Sequence, residues 1–151
     1  MKSHIAALTI LSIPVAACAD EACRHYSAKY YDEALSNQLS KNGIPHTVHP
    51  EKGICVSVGQ EPGLEAASRQ VDTYFHQVAR VLKDECEERA LVAWAEKEHL
   101  RFDVASARNS DGRPGGRMFL LRSFSREEAS ANQDKLWNKA PKHVSCASEG
   151  K

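Results

Sequence analysis

The fold is decided by residues 33–58, EALSNQLSKNGIPHTVHPEKGICVSV, where the period of the apolar residues changes. Apolar side chains recur every three or four positions over residues 27–42, and this spacing predicts a helix that ends at Gly43. Two segments with strand composition, 46–49 and 54–58, follow on either side of a turn with Pro early and Gly late. We therefore predict a helix followed by a β-hairpin with one buried face.

Downstream of this stretch the same criteria predict three more helices and two more strands. The predicted helices span residues 62–82, 86–99 and 125–138, and the predicted strands span residues 100–104 and 118–124. Residues 105–116 have the Gly, Pro, Ser and Asn content of a loop. The segment from Leu91 to Trp94 fits a strand as well as a helix, whereas Ser125 with Glu128 forms the capping box typical of a helix start.

An internal repeat relates the two halves of the chain. Ile44 and Leu100 stand 56 residues apart, and each follows a predicted helix. Both copies have the order helix, strand, turn, strand, helix, which predicts two α-β-β-α units, residues 27–84 and 85–140, in a single domain over residues 27–146. A hairpin needs a helix on one face to be stable, so we expect the units to pair into one sheet backed by helices. The predicted fold class is α+β, an open-faced antiparallel sandwich.

The N-terminus has the features of an export signal. Lys2 provides a positive charge, and the apolar run that follows is shorter than the roughly 20 residues needed to span a membrane. The run ends in Val15-Ala16-Ala17-Cys18, which resembles the lipobox of bacterial lipoproteins. The resemblance implies that residues 1–17 are a signal peptide, that Cys18 carries acyl chains, and that residues 18–26 tether the domain to a membrane lipid layer.

The sequence is compatible with two different cleavage sites and therefore with two mature proteins. The lipobox implies an outer-membrane lipoprotein that faces the periplasm, since Ala19 rather than Asp follows the cysteine. Cleavage after Ala17-Cys18-Ala19, an A-x-A site, would instead release a soluble periplasmic protein that starts at Asp20.

The other cysteines predict a disulfide-stapled domain. Apart from Cys18 there are four: Cys23, Cys55, Cys86 and Cys146. An even number in an exported domain predicts two disulfides, and all three pairings are open. None of the four form the close pairs of a zinc finger, which favours stapling over a structural metal. The last cysteine would pin a polar C-terminal tail, residues 141–151.

Charge and motifs exclude several classes of function. Basic and acidic residues both number 20, so the chain has no general electrostatic attraction to nucleic acid. The sequence contains neither H-E-x-x-H nor G-x-S-x-G, the motifs of zinc proteases and of serine hydrolases. We therefore expect a non-enzymatic binding or scaffold module without a cofactor.

The second predicted hairpin is rich in arginine. Its candidate partner-binding residues are Arg101, Arg108, Arg113, Arg117 and Arg122. The planar guanidinium group matches carboxylate and phosphate, so this segment is suited to an acidic envelope protein, a lipid headgroup or peptidoglycan. The alternative interpretation is a solvated loop with ordinary surface charge, which keeps a strand edge from aggregating.

Histidines offer an alternative function, a metal-dependent periplasmic enzyme. The candidate ligands are His46 and His49 at the first hairpin and His76 on a predicted helix. Metal catalysis requires three converging ligands and an open coordination position. His46 and His49 are three positions apart, so on a strand they point to opposite faces of the sheet.

Residues 33–58 are also similar, in their order of helix and hairpin, to modules of anchored secretion-ring lipoproteins. This likeness concerns the fold and implies no function by itself. The two predicted disulfides depart from that family.

Overall fold

The structure is a computed structural model that describes residues 20–108, 112 and 114–142. Its elements are β1 (Glu21–Arg24), α1 (Tyr31–Lys41), β2 (Thr47–His49), β3 (Gly53–Ser57), α2 (Glu61–Phe75), β4 (Val78–Val81), α3 (Glu85–Lys97), β5 (Phe102–Arg108), β6 (Pro114–Leu121) and α4 (Arg126–Asn138). The strands form two three-stranded antiparallel sheets with the orders β1-β3-β2 and β4-β6-β5. The α+β class is confirmed, and the order β-α-β-β-α occurs twice.

The sheets differ from the prediction in two respects. The two units do not pair into one sheet, and each sheet has an additional edge strand. β1 lies in the segment expected as a tether, and the helix predicted over residues 62–82 is wrong beyond Phe75, where α2 ends. Residues 78–81 continue the helical spacing in the sequence, but they pair with residues 118–121 of β6. Strand pairing in the tertiary fold outweighs the local helical pattern.

The structure of the second unit decides between the helix and the strand that the sequence allowed, and it sets the bounds of the predicted loop. The segment predicted over residues 86–99 is a helix rather than a strand, and this helix, α3, spans Glu85–Lys97. The predicted loop over residues 105–116 is shorter, since β5 continues to Arg108 and β6 begins at Pro114. Ser125 caps α4 as predicted, since the N–H of Glu128 donates to its hydroxyl at 3.1 Å, and the carboxylate of Glu128 accepts the N–H of Phe124, one residue before the cap, at 2.7 Å.

The 56-residue repeat is visible in the way α1 and α3 end. Gly43 and His99 follow these helices with left-handed φ angles of 68° and 52°. Ile44 and Leu100, the next residues, each donate their N–H to a carbonyl oxygen of the last turn at 2.9 Å. The same C-terminal cap therefore occurs twice, although a histidine takes the position that glycine usually occupies in the second copy.

The turn between β2 and β3 depends on Gly53. Its φ of 75° favours glycine, and a Cβ at this position would overlap the carbonyl oxygen of Arg24. The absence of a side chain allows β1 to approach β3 along this edge. The turn glycine predicted from the sequence thus also sets the position of a strand that the sequence did not predict.

One hydrophobic core joins the two units. Its largest fully buried apolar side chains come from all four helices and both central strands: Leu35, Leu39, Ile54, Val56, Leu64, Val71, Phe75, Leu91, Phe119, Leu121 and Leu136. Ile54 and Val56 alternate with Cys55, so the face of the first sheet that carries Cys55 points away from this core. Cys55 itself is 1% exposed, whereas its two strand partners on that face, Cys23 and Thr47, are exposed.

Candidate functional site

The second hairpin extends beyond the sheet to which it belongs. β4 pairs with β6 over residues 78–81 and 118–121, and Leu82 donates its N–H to the carbonyl oxygen of Arg117 at 2.9 Å, whereas β5 and β6 continue to pair as far as Arg108 and Pro114. The segment 106–117 is called the hairpin tip below; among its described residues Ser106 pairs with Arg117 and Arg108 with Pro114, with an irregular register between the two pairs. The tip contains three arginines and one aspartate, so it carries a local positive charge.

Arg117 is the tip arginine whose side chain the structure describes. This side chain is 53% exposed, and its Nη1 lies 2.8 Å from Oε2 of Glu88 on α3. Val81 is 67% exposed and pairs with Met118, so its side chain lies on the opposite face of the sheet from Arg117. Arg113 and the side chain of Arg108 lie outside the described residues. Arg117 thus forms an ion pair with α3, and about half of its side chain remains exposed to solvent.

The other two candidate arginines make contacts within the fold. Nη2 of Arg101 lies 2.6 Å from Oε1 of Glu128, and its guanidinium lies over the ring of Phe124 at 3.9 Å. Arg122 is 3% exposed. Of the five candidates, the structure therefore places the side chain of Arg117 at the surface of the tip, and those of Arg101 and Arg122 in contacts within the fold.

Arg122 also links the two units. Its Nη1 lies 2.7 Å from Nδ1 of His76, its Nη2 lies 3.1 Å from Oδ2 of Asp103, and its guanidinium lies 4.9 Å from the ring centre of Phe75. Burial lowers the pKa of His76, the positive charge of Arg122 lowers it further, and Asp72 opposes both effects. His76 is therefore held neutral as part of a structural contact.

Ser68 and Asp72 lie one turn apart on α2, and His76 directly follows its last residue, which places a hydroxyl, a carboxylate and an imidazole along one side of the helix. Ser68 Oγ lies 2.9 Å from the hydroxyl of Tyr31, and that hydroxyl donates to Oδ1 of Asp72 at 2.6 Å. Burial raises the pKa of Tyr31, and the bond to Asp72 raises it further. The hydroxyl of Ser68 is thus hydrogen-bonded to Tyr31 of α1 rather than to an imidazole base.

The three candidate metal ligands lie in three different environments. His76 contacts Arg122, whereas Nε2 of His46 lies 2.7 Å from the hydroxyl of Ser36 and its Nδ1 lies 3.0 Å from the carbonyl oxygen of Ile44. His49 lies on the outer face of the first sheet, where Nε2 is 3.8 Å from Oε2 of Glu21. The described geometry does not bring these histidines together as a catalytic metal site would require.

The pair of Ser36 and His46 was missed from the sequence. Ser36 stands where a nucleophile would, His46 where its base would, and the carbonyl oxygen of Ile44 orients the imidazole. This arrangement is one requirement of a serine hydrolase. The two residues belong to α1 and to the entry into β2, and no sequence motif marks a pair ten positions apart. Their bond fixes the corner between helix and hairpin.

A cleft of about 310 Å³ lies between α1, α2 and the start of α4. Its amide groups are largely satisfied by one another: Gln38 donates to Asn42 at 3.0 Å, and Asn42 donates to Gln70 at 3.2 Å. The hydroxyl of Tyr74 donates to the Gln38 carbonyl oxygen at 3.2 Å. The cleft is therefore polar, and the hydrogen bonds among these side chains occupy its amide groups.

One disulfide of the described chain joins Cys23 to Cys55, which are direct partners in the pairing of β1 with β3. Cys86 is also disulfide-bonded. Cys18 and Cys146 lie outside the described residues. The expectation of a disulfide-stapled domain is confirmed for the first bond.

Within the described residues no helix is long and apolar enough to cross a membrane. Comparisons with family models, with curated proteins and with solved structures each find no match to this chain.

Proposed function

We propose that this protein is a lipid-anchored binding module of the bacterial envelope, attached to the outer membrane through Cys18 and without catalytic activity of its own. The domain faces the periplasm, and the hairpin tip binds carboxylate or phosphate groups of another envelope component. That component is an acidic protein or peptidoglycan.

The projecting hairpin tip is the observation that carries this proposal. An isolated two-stranded hairpin has little stability, so its extension past the sheet serves no need of the core. Arg117 presents a side chain that is 53% exposed. Its planar guanidinium group suits a partner that offers a carboxylate or a phosphate.

Two further observations favour an exported domain. A cross-strand disulfide is typical of oxidising compartments such as the periplasm. The sequence before the domain ends in a lipobox-like Val15-Ala16-Ala17-Cys18, which would hold the domain at a membrane surface.

Cross-linking in the native envelope tests the proposal. The variant R108S/R113S/R117S removes all three tip arginines, and it is expected to lose the cross-linked partner while the protein stays folded. The lost pair between Arg117 and Glu88 is half-exposed, so it costs about 1 kcal/mol or less.

The matched control removes the same charge elsewhere. R24S/R69S/R126S replaces three exposed arginines outside the tip, and it is expected to retain the partner. Retention of the partner by the tip variant, or equal loss in both variants, would contradict a binding role of the tip.

A further inference from the structure

The outer face of the first sheet carries the Cys23–Cys55 disulfide at its centre. Direct cross-strand partners share one face, and Ile54 and Val56 on either side of Cys55 point into the core. Cys23 belongs to the edge strand β1 and is exposed, whereas Cys55 is 1% exposed. A reductant in solution therefore reaches this bond from the β1 side.

Two more side chains lie over this disulfide from the two edge strands. Glu21 belongs to β1 and His49 to β2, and Oε2 of the first lies 3.8 Å from Nε2 of the second. The ligand atoms of Glu21, His49 and Cys55 all lie within 4.8 Å of one another, and the Cys23 sulfur is bonded to that of Cys55. Among the described residues no other group of three such side chains comes this close.

We propose that reduction of the Cys23–Cys55 disulfide turns this cluster into a zinc site. Its ligands are the two thiolate sulfurs, Nε2 of His49 and the carboxylate of Glu21. Zinc bonds of about 2.3 Å to sulfur and 2.0–2.1 Å to nitrogen set the ligand atoms of a tetrahedron roughly 3.3–3.8 Å apart. The carboxylate and the imidazole already lie at such a separation.

The types of ligand determine which metal binds and make its binding depend on whether the cysteines are oxidised or reduced. Thiolate and imidazole together favour Zn²⁺ over Mg²⁺ or Ca²⁺, which prefer oxygen ligands. With the disulfide intact, only Glu21 and His49 remain as ligands, and two ligands do not complete a zinc site. The metal is therefore expected to bind the reduced protein alone.

The reaction balances with a dithiol as reductant. The dithiol gives two electrons and two protons to Cys23 and Cys55 and itself becomes a disulfide. Zn²⁺ then displaces the two thiol protons, because only the thiolate form binds metal. Two thiolates, one carboxylate and a neutral imidazole leave the occupied site with a single negative charge.

Zinc titration of the mature chain carrying C18S tests the site, by competition with a chromophoric chelator before and after reduction with a dithiol. The reduced protein is expected to bind one equivalent that the oxidised protein does not bind. H49A and E21Q leave the disulfide intact before reduction, and each is expected to weaken zinc binding to the reduced protein at least about 10-fold. H25A and E51Q, exposed residues of the same types outside the cluster, are matched controls that retain the affinity.

Two cysteine variants separate this disulfide from the other thiols. C86S/C146S is expected to keep the zinc site, and C23S/C55S is expected to lose it. Wild-type affinity in C23S/C55S or in H49A would overturn the proposal. Failure of the reduced wild-type protein to bind zinc would overturn it as well.

Discussion

Nη1 of Arg122 lies 2.7 Å from Nδ1 of His76, and this contact joins the residue that follows β6 in the second unit to the residue that follows α2 in the first. Arginine is always protonated and can only donate, so Nδ1 accepts and the imidazole is neutral. Arg122 is 3% exposed, and its other partner is Asp103. Protonation of His76 would remove an acceptor and place a second positive charge beside a buried one.

This contact predicts that the protein loses stability on acidification. Burial and Arg122 hold the pKa of His76 below the value of about 6.5 that it has in the unfolded chain. The unfolded state then takes up the proton first, so the free energy of unfolding falls as the pH drops below about 6.5. Urea unfolding near pH 7.5 and near pH 5 measures this dependence. It is expected to be weaker in H76Q and unchanged in H25Q; equal slopes in H76Q and wild type would contradict the assignment.

Removal of Glu87 is predicted to destabilise the second unit strongly. Its side chain is 6% exposed, and Oε1 lies 2.5 Å from Nη2 of Arg80 on β4. Oε2 accepts the N–H of Lys83 at 2.8 Å. E87A leaves a largely buried arginine without its carboxylate partner, with only the carbonyl oxygen of Pro141 as an acceptor at 3.0 Å, and we expect a loss of about 3 kcal/mol in the free energy of unfolding. E98A, at an exposed position after α3, is the control and should change stability by less than about 0.5 kcal/mol.

The N-terminal caps of α3 and α4 are predicted to contribute equally to the free energy of unfolding. Asp84 Oδ1 accepts the N–H groups of Cys86 and Glu87, and Ser125 Oγ accepts that of Glu128. D84A and S125A should each cost about 1 kcal/mol in urea unfolding, because each leaves helix N–H groups without a partner. S130A, exposed in the middle of α4, should lie within about 0.5 kcal/mol of wild type. A cost for S130A equal to that of S125A would argue against capping as the cause.

The sequence predicted the helices because their apolar residues face one core at regular spacing. It did not predict β1 and β4, which have four residues each. In β1 only Ala22 packs against the core, and in β4 the inward-facing Arg80 is a charged residue. Neither strand shows apolar alternation, since both are specified by pairing with a central strand.

The candidate sites also depend on tertiary contacts that the sequence pattern does not reveal. The sequence indicated an arginine-rich hairpin, but the burial of Arg122 depends on its contacts with Asp103 and His76 across two units. The pairing of Cys23 with Cys55 could not be derived, because it follows from the register of β1, which was not predicted. His49 was named as a candidate ligand, whereas its neighbour Glu21 became visible once β1 and β2 were placed on either side of β3.

Cys86 is predicted to pair with Cys146. Cys86 is disulfide-bonded, and Cys23 and Cys55 are joined to each other. If Cys18 carries a lipid through its sulfur, Cys146 is the remaining partner. Peptide mapping of the non-reduced protein by mass spectrometry should yield a peptide pair that contains residues 86 and 146. A pair that joins Cys86 to Cys18 would instead exclude acylation at Cys18.

The lipid anchor is tested most directly by the intact mass of the mature protein from its native membrane, alkylated before and after reduction. We predict a chain that starts at Cys18 with the added mass of acyl chains, no alkylation before reduction, and four alkylated thiols after it. An unmodified chain that starts at Asp20 would contradict the anchor and make the protein a diffusible periplasmic one.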